Sequence, residues 1–317
     1  MAYDENTTTD EVLDGIDLTG RLALVTGASA GLGVETSRAL ASHGATVVMA
    51  VRDVAKGERA ADQIRTVVPQ ADLEVRQLDL GSLASIRAFG EGFRADHPRL
   101  DLLINNAGVM AAPQARTTDG FDLQLGTNHL GHFLLTAQVL PALEAAAAAG
   151  SDVRIVNLSS GGHRRSGILW DDPHYRTRPY DKWEAYGQSK SANVLFTVAL
   201  ERRLSGKGIH SFAVHPGVIA TELSRHLSQD DFKDLAARAP RGALRRKSTE
   251  AGAATSVWAA TAPELAGQGG IYLEDVHIAE PAVDGGTGGI SAHAIDPEQA
   301  ERLWSWSEEQ VGEKVSV

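Results

Sequence analysis

Between Leu22 and Gly33 the chain reads LALVTGASAGLG, a short apolar run followed by glycines at a spacing that fits a phosphate. The run predicts a strand feeding a turn. Gly27, Gly31 and Gly33 carry no side chains to hold a pyrophosphate away, and the helix they open offers unpaired N–H groups and a positive dipole end. Such a turn also serves simply to pack a strand on a helix, and its GxxxGxG spacing differs from the commoner GxGxxG. The rest of the chain decides between the two.

Strand-like and helix-like stretches alternate after Arg21, as a doubly wound parallel sheet requires. Apolar runs at 22–25, 45–51, 73–78, 100–104, 153–158, 209–214 and 270–273 predict seven strands. Helical stretches fall at about 32–43, 54–67, 82–96, 121–148, 185–205 and 248–261. The expected architecture is α/β: a single-domain, Rossmann-like, doubly wound parallel seven-stranded sheet with helices on both faces. Residues 1–19, rich in Asp, Glu and Thr, predict a flexible acidic leader, and 20–317 the one domain. No Pro/Gly-rich linker divides that domain into two cores.

A net charge of −11 argues against nucleic acid or an anionic membrane as partner. The absence of cysteine removes thiolate catalysis, disulfides and Cys-ligated metal. No run approaches the ~20 apolar residues of a membrane span, and the first residues lack a basic-then-apolar signal pattern. A cytoplasmic protein is expected.

In such a sheet the end of the second strand meets the adenosine ribose, where an acidic residue would bind a 2′-hydroxyl. Here Val51 is followed by Arg52, whose guanidinium suits a 2′-phosphate, so NADP(H) is favoured over NAD(H). Asp53 fits better as the N-cap of the next helix. Asp79, with Leu80 beside it, stands either near the adenine or as a cap of the helix near Ser82. Asn105-Asn-Ala-Gly108 ends the fourth strand at the edge where a cofactor would lie. His129 and His132 share a helix face, but no third ligand accompanies them, so no metal is expected.

Tyr186 and Lys190 stand four apart on a predicted helix and project from one face. Bringing a tyrosine from a pKa near 10 to about 7 requires about 4 kcal/mol. One ammonium ~4 Å away at an effective dielectric of ~20 supplies about that much.

Thr26-Gly-Ala-Ser-Ala-Gly-Leu-Gly33, Asn105-Asn-Ala-Gly108 and Tyr186-Gly-Gln-Ser-Lys190 occur in the order seen in short-chain dehydrogenases/reductases, and the chain resembles that family from about Gly20 to Tyr272. The resemblance implies a catalytic set of Asn128, Ser160, Tyr186 and Lys190, with Ser159 as the fallback serine. Asn128 would bend its helix and link the lysine to solvent. Ser160 would hydrogen-bond a substrate carbonyl, Tyr186 would exchange the proton, and Lys190 would also hold the nicotinamide ribose. Cofactor contacts are implied for Gly27, Ser29, Ala30, Gly31, Leu32, Gly33, Arg52, Asp79, Leu80, Asn106, Ala107, Gly108, Pro216, Gly217, Val218 and Thr221, besides Tyr186 and Lys190.

The segment between Ser160 and Tyr186 is longer than in compact members and holds Trp170, Tyr175, Tyr180 and Trp183. It resembles that of the retinol dehydrogenase and WW-domain oxidoreductase branch. Substrate loops are expected at about 164–184 and 218–247, the first as an apolar wall. Arg241 to Lys247 forms a basic cluster, either an anion-recognition site or a solvated run. The implied activity is hydride transfer between NADP(H) and the carbonyl or alcohol of a moderately large apolar small molecule; a non-enzymatic NADP-binding sensor or scaffold is the alternative. A homodimer or homotetramer is compatible with the resemblance, in which the helix bearing Tyr186 often serves as a dimer surface.

Overall fold

The computed structural model describes residues 3–219, 223, 227–229, 231, 246–283, 286 and 288–316. The apolar runs form parallel strands β1 (Leu22–Thr26), β2 (Thr46–Val51), β3 (Leu73–Gln77), β4 (Leu102–Asn105), β5 (Val153–Leu158), β6 (Ile209–His215) and, later in the chain, β9 (Ile271–Glu274). Their interior residues are buried almost without alternation in β2, β4 and β5, the pattern of strands covered on both faces.

Two short strands, β7 (Val218–Ile219) and β8 (Arg246–Lys247), pair with each other apart from the sheet. An edge strand, β10 (His277–Ile278), runs antiparallel to β9. The sheet order is β10-β9-β6-β5-β4-β1-β2-β3. Among the described residues the main sheet thus has eight strands rather than the seven expected, and one is antiparallel. β10 has two residues, too few for a periodic signal, and its turn uses Asp275 and Val276 at φ 47° and 58° in place of the usual Asn-Gly.

The strand order reverses between β1 and β4, which opens the sheet's carboxyl edge there. Helices α2 (Leu32–Ser42), α3 (Val54–Val67), α4 (Leu83–Asp96), α6 (Gly131–Ala148), α7 (Lys182–Leu204) and α8 (Thr249–Thr261) cover the two faces. A short α5 (Leu123–Leu125) and a π-helical turn (Gly126–Leu130) lead without a break into α6. This run, Leu123–Ala148, is long and apolar enough to cross a membrane, contrary to expectation, but 67% of its apolar window is buried within the fold.

The acidic leader does not lie loose. Thr8 and Glu11 form a capping box for α1 (Thr9–Val12), and Thr9, Val12, Leu13 and Leu18 are buried on α2 and α8. Asp10 pairs with Arg38 of α2 at 2.8 Å. A few apolar residues and a well-formed cap suffice to dock a segment whose composition reads as disordered.

At the other end, α9 (Pro297–Val311) packs along α7. Trp304 sits against Phe133 and Phe196, with the Arg203 guanidinium 4.2 Å from its ring. The surface of α7 that the resemblance offers to a second copy is therefore packed against this chain's own helix. Nearly every α7 residue from Ala185 to Leu200 is buried.

Candidate active site

The glycine turn joins β1 to α2 as the sequence requires of it. Gly27 and Gly31 take φ of 67° and 57°, values that favour glycine. A Cβ at Gly33 would stand 2.4 Å from the Gly27 carbonyl and 2.7 Å from the Asn106 side chain, so helix and turn approach as only glycine allows. Gly31 is the N-cap of α2 and provides no capping side chain. Ser29, Ala30 and Leu32 are partly exposed around this helix start. Bare amides at a helix N-terminus and a turn without side chains fit a pyrophosphate.

Thr26, just ahead of the first glycine, had no predicted role. Its hydroxyl accepts the amides of Asn106 and Ala107 at 3.0 Å each and bonds the His132 ring at 2.9 Å. Asn106 returns its side-chain amide to the Thr26 carbonyl at 2.7 Å. Asn105 instead points inward, bonding Asn157 of β5 and Thr136 of α6.

Arg52 is exposed at the end of β2. Asp53 caps α3 through the Lys56 amide at 3.0 Å, so of the two charged residues after β2 Arg52 is the one not engaged as the cap. Asp79 accepts the Gly81 amide at 2.9 Å, while Ser82 caps α4; Leu80 is buried beside it. Gly108 lies between Asn128 and Lys190: a Cβ there would stand 3.3 Å from the Asn128 amide oxygen and 3.7 Å from the Lys190 nitrogen.

Asn128 occupies the middle of the π-helical turn, a distortion frequent at functional sites. Its side chain accepts from the Val109 amide at 2.8 Å and donates to the Val109 carbonyl and the Ser189 hydroxyl at 2.9 Å. Its carbonyl meets His132 Nδ1 at 2.9 Å. His129 turns the other way, to Ser307 of α9 at 2.8 Å. The two histidines therefore serve different packing contacts, and burial pushes them down to about 3 and about 4.

The two serines after β5 separate. Ser159 is buried and donates to the Lys190 carbonyl at 2.9 Å. Ser160 faces the Tyr186 hydroxyl and accepts the Gly162 amide at 3.1 Å. Gly162 is a second position that sequence reasoning missed. A Cβ on it would reach within 2.8 Å of the Tyr186 ring and 3.4 Å of the Ser160 oxygen. Two glycines directly after the serine pair were the available signal.

Lys190 donates to the Leu158 carbonyl at 2.9 Å and lies 5.7 Å from the Tyr186 ring centroid. Burial raises Tyr186 to about 12, with the Ser160 hydrogen bond opposing, and lowers Lys190 to about 7. The Coulomb estimate from the sequence counted a fully charged ammonium and left out the desolvation of both groups. Desolvation acts on both groups and outweighs it in the protein alone.

Pro216, Gly217 and Val218 follow β6 at the same edge, with Gly217 at φ 89°. The stem of Lys247 packs on Gly217, where a Cβ would meet it at 2.8 Å. Its ammonium is buried against Asp275 at 2.5 Å, so this member of the basic cluster is neither solvated nor open to an anion. Thr221 and Arg241 to Arg245 lie outside the described residues, as does most of the expected loop at 218–247.

The aromatic loop at 164–184 does not present a free apolar wall. Trp170 donates to Gln299 at 2.8 Å and lies under the Arg302 guanidinium of α9 at 4.1 Å. The Tyr175 hydroxyl reaches Glu184, the Tyr180 hydroxyl reaches the Ala112 carbonyl, and Arg165 covers Trp183. A long insertion has its own apolar area to bury, and these rings bury it against the protein.

The short chain dehydrogenase family model matches residues 21–231. Human retinol dehydrogenase 12 is 43% identical over 297 residues, covering 94% of this chain and 88% of that protein. The crystal structure of an uncharacterized protein from Mycobacterium paratuberculosis superposes with a TM-score of 0.74 at 36% identity, covering 95% of this chain and 97% of that one. The Pseudomonas aeruginosa RhlG/NADP active-site complex gives a TM-score of 0.65 at 26% identity, covering 81% and 95%. The chain belongs to the short-chain dehydrogenase/reductase family, a family of nicotinamide-dependent oxidoreductases.

Proposed function

We propose that this oxidoreductase moves hydride between NADP(H) and the carbonyl or alcohol carbon of a moderately large apolar small molecule. The observation that carries the reading is the meeting of Ser160, Tyr186 and Lys190 beside Gly108, at the edge where the glycine turn and Asn106 lie. Gly27 to Gly33 would hold the pyrophosphate, and Asn106 to Gly108 with Pro216 to Val218 would flank the nicotinamide.

When bound, the reduced nicotinamide supplies the hydride, two electrons and a proton's mass, to the carbonyl carbon. Ser160 donates a hydrogen bond to the carbonyl oxygen. Tyr186 gives that oxygen its proton as the C–O double bond opens, which completes the alcohol. A high tyrosine pKa keeps the proton in place for this direction until it is needed. Lys190 would hold the ribose hydroxyls, and its positive charge would stabilise the Tyr186 phenolate until a proton from solvent replaces the one given to the product. Asn128 shapes the floor through Val109 and Ser189, the latter also bonded to the Tyr186 carbonyl at 2.8 Å.

The preference for NADP(H) rests on Arg52, and the apolar substrate on the likeness to a protein named retinol dehydrogenase. A homodimer or homotetramer remains part of the proposal, with its contact away from the α7 surface that α9 covers. A cytoplasmic location completes the proposal; among the described residues the long apolar helix Leu123–Ala148 is mostly buried in the fold, which supports it.

The test is turnover of NADPH and NADH with long-chain aldehydes, retinal and cyclic ketones. NADPH-preferring consumption is expected. Tight NADPH binding without consumption across the panel would favour a sensor or scaffold.

A further inference from the structure

Resting on that reading of Ser160, we propose that His163 is a positioning residue for the serine, wiring it to the strap at 288–294. His163 follows Ser160 on a short 3-10 turn, Gly161–Arg165, and is wholly buried. Its ring lies on Tyr272, centroids 5.0 Å apart.

The ring's two nitrogens have unlike partners. Nε2 faces the Ser291 amide at 3.2 Å, and a backbone N–H can only donate, so Nε2 is the acceptor. The proton therefore sits on Nδ1, which donates to the Ser160 carbonyl at 2.7 Å. That carbonyl also accepts the His163 amide at 3.0 Å. Ser160 is thus held from its carbonyl side by one imidazole in one tautomer, while its hydroxyl stays turned to Tyr186. A histidine whose tautomer is fixed by the partner of its far nitrogen is a known way to orient a neighbouring group.

The strap itself is clamped around this contact. Arg164 donates to the carbonyls of Gly286 and Gly288 at 3.1 and 2.8 Å, and Gly289 donates to Glu274 at 2.7 Å. The His163 carbonyl accepts the Ser191 hydroxyl at 2.9 Å and lies 3.1 Å from His293 Nε2. Residues far along the chain, beyond β10, thereby set the position of a serine at the end of β5.

Ser291→Pro isolates the wire. Ser291 has φ −75°, which proline adopts, so the substitution deletes one donor with little backbone cost. Nitrogen-15 spectra of ring-labelled full-length protein should show Nδ1–H at His163 in the wild type and a mixed or Nε2–H ring in Ser291→Pro. The same variant should lose about tenfold to a hundredfold in kcat, the scale of a displaced reacting group, with KM and NADPH affinity within about twofold of wild type. His163→Asn, whose amide can reach the Ser160 carbonyl, should recover most of the kcat that His163→Phe loses.

An Nε2–H ring in the wild type, or wild-type kcat in both Ser291→Pro and His163→Phe, would overturn the proposal. A wild type inert toward every carbonyl would count against the functional reading alone, and the ring spectra would still decide the tautomer.

Discussion

The glycine turn between β1 and α2 and the brace formed by the 164–184 loop with α9 lie at opposite extremes of how a site is built. The turn works through backbone: φ angles of 67° and 57° at Gly27 and Gly31, and a Gly33 position where a Cβ would clash with the Gly27 carbonyl at 2.4 Å. The brace works through large side chains from distant parts of the sequence: Trp170 on Arg302, His129 on Ser307, Trp304 on Phe133. Damage to the turn should therefore appear in cofactor binding, and damage to the brace in stability.

The largest effect expected is on the brace. Trp304→Ala empties a buried aromatic site and removes the surface under Arg203, so it should cost about 3–5 kcal/mol of stability, read as a fall in denaturant midpoint. NADPH affinity of the folded fraction should be unchanged. A large affinity loss with little destabilisation would break the division.

Gly33→Ala is the converse. Its Cβ has no room, and overpacking of about 1–3 kcal/mol falls on the turn that would hold the pyrophosphate. NADPH affinity, followed by fluorescence of the bound cofactor, should drop by at least tenfold. Affinity equal to wild type would remove the turn from the account.

Arg52→Ala sharpens the cofactor side further. An exposed charge-assisted contact is worth about 1.5 kcal/mol, roughly tenfold in affinity. That loss should fall on NADPH and spare NADH. Equal losses, or none, would leave the preference without its residue.

The smallest effect, taken per group and per pH unit, is in pH. His129, His132 and His163 are held near 3, 4 and 4 by burial. An unfolded histidine takes its proton near 6.5, so the unfolded chain binds more protons below that pH and stability falls as pH drops from about 6.5 towards 4. Each ring should remove on the order of 1 kcal/mol per pH unit over that range. His132→Gln, on the turn side, should flatten the profile less than the double change of His129 and His132.

The same division explains what could be read from the sequence. Apolar runs and cap residues are local, and they place β1 to β6, β9 and the helix start at Asp53 within a residue or two of the structure. The glycine turn is local too. By contrast, nothing adjacent to Trp170 announces Arg302, and nothing near Asp10 announces Arg38. The aromatic loop therefore reads as a substrate wall, the leader as loose, and Lys247 as solvated or anion-binding, because the Asp275 that pairs with it is remote in sequence. Ser159 and Ser160 are indistinguishable in the chain; one points to the Lys190 carbonyl and one to Tyr186 only because a strand end alternates its side chains.

The central claim is that Tyr186 passes the proton while hydride arrives at the carbonyl carbon. It is tested most directly by single-turnover transfer of deuterium from the reduced nicotinamide to the first carbonyl compound the enzyme consumes, for wild type and Tyr186→Phe. The account predicts deuterium on the product's carbinol carbon in the wild type. It also predicts a rate about 10²–10⁴-fold lower in Tyr186→Phe at saturating NADPH, the range for loss of a general acid. Undiminished transfer in Tyr186→Phe, or deuterium appearing in solvent instead of product, would contradict it.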